Sequence, residues 1–141
     1  MSNAVHGYGT QLQMGDGIGG YTTVAEVTEV GSPKVSANMV DVTHMSSTSG
    51  WREKLPTLLD GGDVSFKVNY LPADATHDGT AGFISLLKNR TRRSWKIILP
   101  DAGTTTWVFD AYVSGFEGGI PLDGVLTASL TLAITGAPTL P

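Results

Sequence analysis

The chain has no cysteine among its 141 residues, which removes disulfides, thiolate nucleophiles and cysteine-based zinc sites together. It is also short of positive charge, with nine Lys and Arg against thirteen Asp and Glu, so it is not built to coat nucleic acid electrostatically. No apolar run approaches the ~20 residues of a membrane span. The beginning, "MSNAVHGYGTQLQMGDG", lacks the basic and apolar regions of a signal peptide. These absences lead us to expect a soluble protein made without secretion through a leader, with no membrane partner. The length fits one domain over residues 1–141.

What is abundant is glycine, eighteen residues of it, with many Thr and Ser, a composition suited to turns and pleated surfaces. Residues 7–20 read as a Gly-rich arm with a short extended piece near Thr10–Met14, making 1–20 a flexible N-terminal arm. "YTTVAEVTEV" (21–30) reads as one strand ended by "GSP", and "KVSANMVDVTH" (34–44) as its antiparallel partner. "DVSFKVNY" alternates Val64, Phe66, Val68 and Tyr70 against Asp63, Ser65, Lys67 and Asn69, the period of a half-buried strand. Phe83, Ile84, Leu86 and Leu87 cluster at helical spacing, which predicts one short helix over 80–89 with Asp78 as a candidate cap. Residues 92–100, 105–117 and 124–136 complete a mainly β reading: a two-sheet β-sandwich with one short flanking α-helix.

Catalytic chemistry finds little support. His6, His44 and His77 lie far apart and read as solvent-facing or loop residues, no G-x-S-x-G elbow occurs, and "GDGIGG" opens no helix. No catalytic, metal or cofactor site is expected. The segment "KNRTRRSWK" gathers Lys88, Arg90, Arg92, Arg93 and Lys96, five of the nine basic residues. It reads either as a nucleic-acid patch or, since one aromatic accompanies it, as a helix C-terminus continuing into a solvated or inter-subunit face. Asp110, inside the apolar run "WVFDAYV", must face solvent, a lumen or a neighbouring subunit to avoid the cost of unpaired burial. In the last strand Thr127, Ser129 and Thr131 form a small hydroxylated face.

One stretch fits neither neighbour. Within "DVTHMSSTSGWREKLPTLLDGG" (41–62) the residues Trp51, Leu55, Leu58 and Leu59 show no strand period, so 44–61 reads as a long loop carrying more apolar surface than a loop needs.

That block joined to "DVSFKVNY", preceded by "GYGTQLQMGDGIGGYTTVAEVTEV" and followed by "THDGTAGFISLL", "LPDAGTTTWVFDAYVSGFE" and "LTASLTLAITG", resembles the major tail tube proteins of long-tailed, lambda-like bacteriophages. The likeness runs from about Gly7 to Pro138 and rests on the order of segments. It implies a tail-tube fold shared with the type VI secretion tube protein, and a structural virion protein rather than an enzyme. Subunits of that family form hexameric rings that stack into a hollow tube through which double-stranded DNA passes unbound. The resemblance further implies tape-measure, tail terminator and tail-tip proteins as partners, and synthesis in the bacterial host cytoplasm. Its inter-ring docking loop corresponds to 44–61, with Trp51, Arg52, Glu53, Leu55, Leu58 and Leu59 as anchors and "SSTSG" as hinge. Lys88, Arg90, Arg92, Arg93, Asp110, Thr127, Ser129 and Thr131 are the candidate lumen or subunit-interface residues. The immunoglobulin-like domain some members carry is absent from these residues. The alternatives are a tube subunit of a phage-derived bacteriocin or type VI-like device and, from another class, a small β-sandwich binding module or enzyme.

Overall fold

A computed structural model describes residues 2–140. Among them nine strands and one helix follow in the order β1 Gln11–Gly15, β2 Tyr21–Thr23, β3 Val27–Val30, β4 Ser36–Asp41, β5 Lys54–Asp60, β6 Asp63–Asn69, α1 Phe83–Asn89, β7 Arg93–Ile98, β8 Thr106–Gly119 and β9 Thr127–Thr139. Seven of the strands hydrogen-bond in the order β2-β1-β7-β8-β9-β6-β3, and β4 pairs with β5 alone. Every pairing is antiparallel.

The seven-stranded sheet is rolled. Laid flat, its edge strands β2 and β3 would stand about 29 Å apart at ~4.8 Å per strand. Yet the link from Thr23 to Val27 can span only about 14 Å. The sheet therefore doubles back, and its two halves face each other as the layers of a sandwich. Residues 21–30 do run extended, as expected, but break where Glu26 takes a left-handed φ of 51°. The N-terminal half joins β1 and the C-terminal half joins β6, so one segment serves both layers, a corner of the kind found where strands switch sheets. The expected pairing of 21–30 with 34–44 does not form.

Alternation along the strands decides which face is enclosed. Leu12 on β1, Val64, Phe66 and Val68 on β6, Trp95 and Ile97 on β7, Phe109 on β8 and Leu130 and Leu132 on β9 are all buried. The expected flexible arm is corrected here: Leu12 and Met14 are core residues, and β1 lies inside the sheet between β2 and β7. Their Gly-rich flanks hid a strand only five residues long.

The helix is shorter than predicted, because Asp78 folds the preceding turn instead of capping the helix itself. Its Oδ1 accepts the N–H groups of Thr80 at 3.1 Å, Ala81 at 2.9 Å and Gly82 at 3.0 Å. The bonds from Ala81 and Gly82 hold its carboxyl below the usual carboxylate range. Gly82 has no room for a side chain: a Cβ there would lie 2.5 Å from the amide nitrogen of Asp78. From this turn Phe83 and Leu86 point into the core. His77, expected to be a solvent-facing or loop residue, lies in the loop before the helix but is fully buried; Nδ1 accepts the Leu71 N–H at 3.0 Å, and Nε2 donates to the Ala25 carbonyl at 2.8 Å. It ties the loop before the helix to the corner near Glu26.

Candidate functional site

The expected long loop is half of a hairpin. β5 pairs with β4 in the register Ala37↔Leu59, Met39↔Pro56, Val40↔Leu55 and Asp41↔Lys54, with a bulge between Ala37 and Met39. The ladder continues beyond the strands through the Val42 N–H to the Glu53 carbonyl at 2.9 Å and the Glu53 N–H to Thr43 Oγ1 at 2.8 Å. Residues 54–60 show no alternation because neither of their faces packs on the body; all of them are exposed. A period of two arises only where one face is buried.

The tip of this arm is braced by polar contacts. Ser47 Oγ donates to Glu53 Oε2 at 2.9 Å and accepts the His44 N–H at 3.0 Å, while His44 Nε2 lies 3.5 Å from the same Glu53 oxygen. Arg52 Nη1 meets Asp41 Oδ2 at 3.1 Å. Hydrogen bonds from the Thr43 side chain and backbone, with Arg52 adding to them, lower the Asp41 carboxyl from its ordinary value. The segment "SSTSG", expected to be a hinge, lies at this braced tip. The direction of the arm is set at its root, where Gly62 takes φ 70° and packs so closely on the Lys34 carbonyl that a side chain would collide.

Among the described residues, nothing covers the arm. Trp51 is 77% exposed, Leu58 81% and Leu59 75%, and Met39, Val40 and Leu55 are exposed as well. Apolar side chains occupy both faces of the hairpin, since Met39 and Pro56 share one face and Val40 and Leu55 the other. Two strands alone are marginal in water, and a contiguous apolar surface of this kind marks a place for another molecule. The segment does not fold back over its own sandwich.

The basic cluster divides. Lys88 lies in the last turn of α1, and Arg90 follows as its left-handed cap, with φ 53° and its N–H reaching the Leu86 and Leu87 carbonyls. Lys96 sits 4.0 Å over the Tyr21 ring. Arg92 and Arg93 join Asp110 in a cleft of about 300 Å³ walled by the glycines of the 15–20 turn. Asp110 is exposed, opposite Ser94 on β7. Thr127, Ser129 and Thr131 stand on the outer face of β9, between Lys67 and Ser65 on β6 and Glu117 and Gly115 on β8. By strand alternation that face also carries Glu29 on β3, Asp63 on β6 and Glu117 on β8 against Lys67 on β6, a hydroxylated surface with an acidic excess. The structure thus brings Thr127, Ser129 and Thr131 together, groups Arg92, Arg93 and Asp110 separately, and sets both apart from the arm.

A second uncovered apolar group escaped the sequence reading. Ile120 is 87% exposed, Leu122 99% and Val125 61%, all in the turn between β8 and β9. Three large apolar residues in "GGIPLDGV", a stretch rich in turn formers, were the available signal. A cleft of about 510 Å³ beside α1 holds Asp16, Thr76, Ser85, Asn89 and Arg93, without a nucleophile and base in hydrogen-bonding reach of each other. No cluster of three metal-ligating side chains forms among the described residues, and no helix among them is long and apolar enough to cross a membrane.

Residues 6–141 match the family described as lambda phage tail tube protein, TTP. Among curated proteins no sequence matches. The fold is similar to that in the tail of an empty GTA particle solved with C6 symmetry, at a TM-score of 0.78 and 22% identity, covering 98% of this chain and 99% of that one. It is also similar to the SPP1 tail tube, at 0.66 and 12%, covering 94% and 77%. A third similar chain belongs to the baseplate of the anti-feeding prophage, at 0.71 and 14%, covering 96% and 95%.

Proposed function

The chain belongs to the lambda phage tail tube protein family, and from that premise we propose how its surfaces build a tube. It is a structural subunit of the virion tail that works by self-association and performs no catalysis. Six copies close into a ring, the symmetry named for the gene transfer agent tail that shares this fold, and rings stack into a hollow tube. The single observation that carries the reading is the β4–β5 arm, which exposes Trp51, Leu55, Leu58 and Leu59 with no cover in its own chain. In the tube the arm lies on the adjacent ring, where burying those side chains contributes about 25 cal/mol per Å² of apolar area removed from water.

The outer face bearing Thr127, Ser129 and Thr131 lines the lumen, where short hydroxylated side chains leave the bore open. Its acidic excess repels phosphate, so double-stranded DNA slides past without binding. Arg92, Arg93, Lys88 and Arg90 lie at the flanks, where they meet neighbouring subunits. Tape-measure, terminator and tail-tip proteins set the length and ends, and the subunit is made in the host cytoplasm before assembly.

A second reading, a tube in a contractile injection device, is favoured by one observation, the similarity to a baseplate chain of the anti-feeding prophage. The two share the ring and differ in whether a sheath surrounds it. Sedimentation velocity over a range of concentrations tests the shared part: growth into rings and polymers supports tube formation, and a monomer at every concentration contradicts it.

A further inference from the structure

Two uncovered apolar groups occupy opposite ends of one strand pair. β8 and β9 lie side by side from Val108↔Thr139 to Gly119↔Thr127, and a strand of the 13 residues in β9 is about 40 Å long at ~3.3 Å per residue. The arm leaves the body near the C-terminal end of β9. There Gly61 packs against Ile134 and Pro138, and the Gly62 carbonyl accepts the Ile134 N–H at 3.0 Å. The turn with Ile120, Leu122 and Val125 closes the other end. A copy displaced along β9 by about a body length would present its turn at the end of the strand pair from which this arm emerges.

The charges complement each other as well. The turn is flanked by Glu117 and Asp123, while Lys54 on the arm forms no ion pair among the described residues. The arm's own carboxylates are engaged internally, Asp41 by Thr43 and Arg52, Glu53 by Ser47, and Asp60 by the Gly62 N–H. Contact between two different patches of identical copies does not close on itself; it leaves a free turn at one end and a free arm at the other, the condition for an open polymer.

We propose that the Ile120–Leu122–Val125 turn is the seat for the β4–β5 arm of the next copy along the tube. The proposal rests on the tube reading and adds the partner surface. Axial stacking then has a fixed polarity, arm to turn, and a spacing on the order of the length of β9, about 40 Å.

The absence of native cysteine allows a direct test. Leu58→Cys and Leu122→Cys are placed in separate preparations, mixed, assembled and oxidised, with Leu58→Cys and Thr28→Cys as the control pair. The expected result is a cross-linked dimer from the first pair, at least tenfold above the control. Tubes that form while the first pair cross-links no better than the control overturn the proposal. Failure of unmodified protein to form any ring or tube removes the tube reading itself, a distinguishable outcome. As a second measurement, Ile120→Ser with Leu122→Ser leaves the circular dichroism spectrum unchanged, since both side chains are exposed, and is expected to abolish stacking. Tubes of wild-type length from that variant also overturn the proposal.

Discussion

His77 donates from Nε2 to the Ala25 carbonyl at 2.8 Å while its Nδ1 accepts the Leu71 N–H at 3.0 Å. The ring, fully buried and 4.9 Å from the Phe83 ring between centroids, satisfies two backbone groups just beyond the end of the β3–β6 ladder. His77→Ala leaves both groups unpaired and a void beside Phe83. Unpaired buried groups cost about 1–3 kcal/mol each and large-to-small changes add to that, so a loss of about 3–5 kcal/mol is expected. Urea unfolding followed by tryptophan fluorescence measures it; a loss under about 1 kcal/mol contradicts the clamp.

The arm separates folding from assembly. Trp51→Ser with Leu55→Ser removes apolar side chains that are 77% and 55% exposed, so the unfolding free energy from urea titration is expected to stay within about 0.5 kcal/mol of wild type. Polymer formation, followed by light scattering, is expected to fall at least tenfold. A variant that polymerises like wild type refutes the role given to the arm.

At the arm's root, Gly62→Ala forces a side chain into a left-handed backbone against the Lys34 carbonyl. A cost of about 1–2 kcal/mol is expected from the conformation alone, together with a re-aimed arm and poorer assembly. Calorimetric melting of the dilute protein, paired with light scattering, checks both, and an unchanged melt speaks against the strain.

The turn before the helix predicts a pH dependence. Hydrogen bonds from Ala81 and Gly82 lower the folded carboxyl of Asp78, and those from the Thr105 side chain and backbone lower Asp101. A carboxyl depressed in the folded state stabilises above its unfolded value, about 3.9, and the stabilisation is lost as pH falls through the folded one. Wild type and Asp78→Asn are expected to differ in urea midpoint at pH 7 and to converge as pH falls past the unfolded carboxyl value of about 3.9 and on through the lower folded one. A gap of constant size across that range shows that the charge on Asp78 plays no part.

Reversal of Arg92 and Arg93 to Glu discriminates the two readings of the basic cluster. Assembly is expected to weaken, while DNA retention by the free subunit is expected to be slight in the wild type and to change little. Strong, salt-dependent retention by the wild type, lost in this variant, makes the cluster a nucleic-acid patch.

Much of the fold was legible because burial writes a period into sequence. Val64, Phe66 and Val68, and likewise Ala128, Leu130 and Leu132, alternate as strands with one enclosed face must, and the helix around Phe83 and Leu86 announced itself by spacing. Three features were hidden for physical reasons. β1 is short and glycine-flanked, so Leu12 and Met14 gave too few alternations to register. The strand 21–30 carries a break at Glu26, a residue type that does not advertise a left-handed backbone. β5 has no period, because neither of its faces is buried within the chain: Trp51, Leu55, Leu58 and Leu59 stood out as apolar excess, but that excess fixes neither a hairpin nor a direction. The turn with Ile120 and Leu122 passed as an ordinary loop, since Pro121, Asp123 and Gly124 supply turn chemistry that conceals its apolar content.

Helical reconstruction of the assembled protein by electron cryomicroscopy tests the central claim most directly. The expected map shows hollow stacked rings, the Thr127–Ser129–Thr131 face toward the bore and each β4–β5 arm crossing onto the next ring. Arms folded back on their own subunits, or a solid filament without a bore, contradict it.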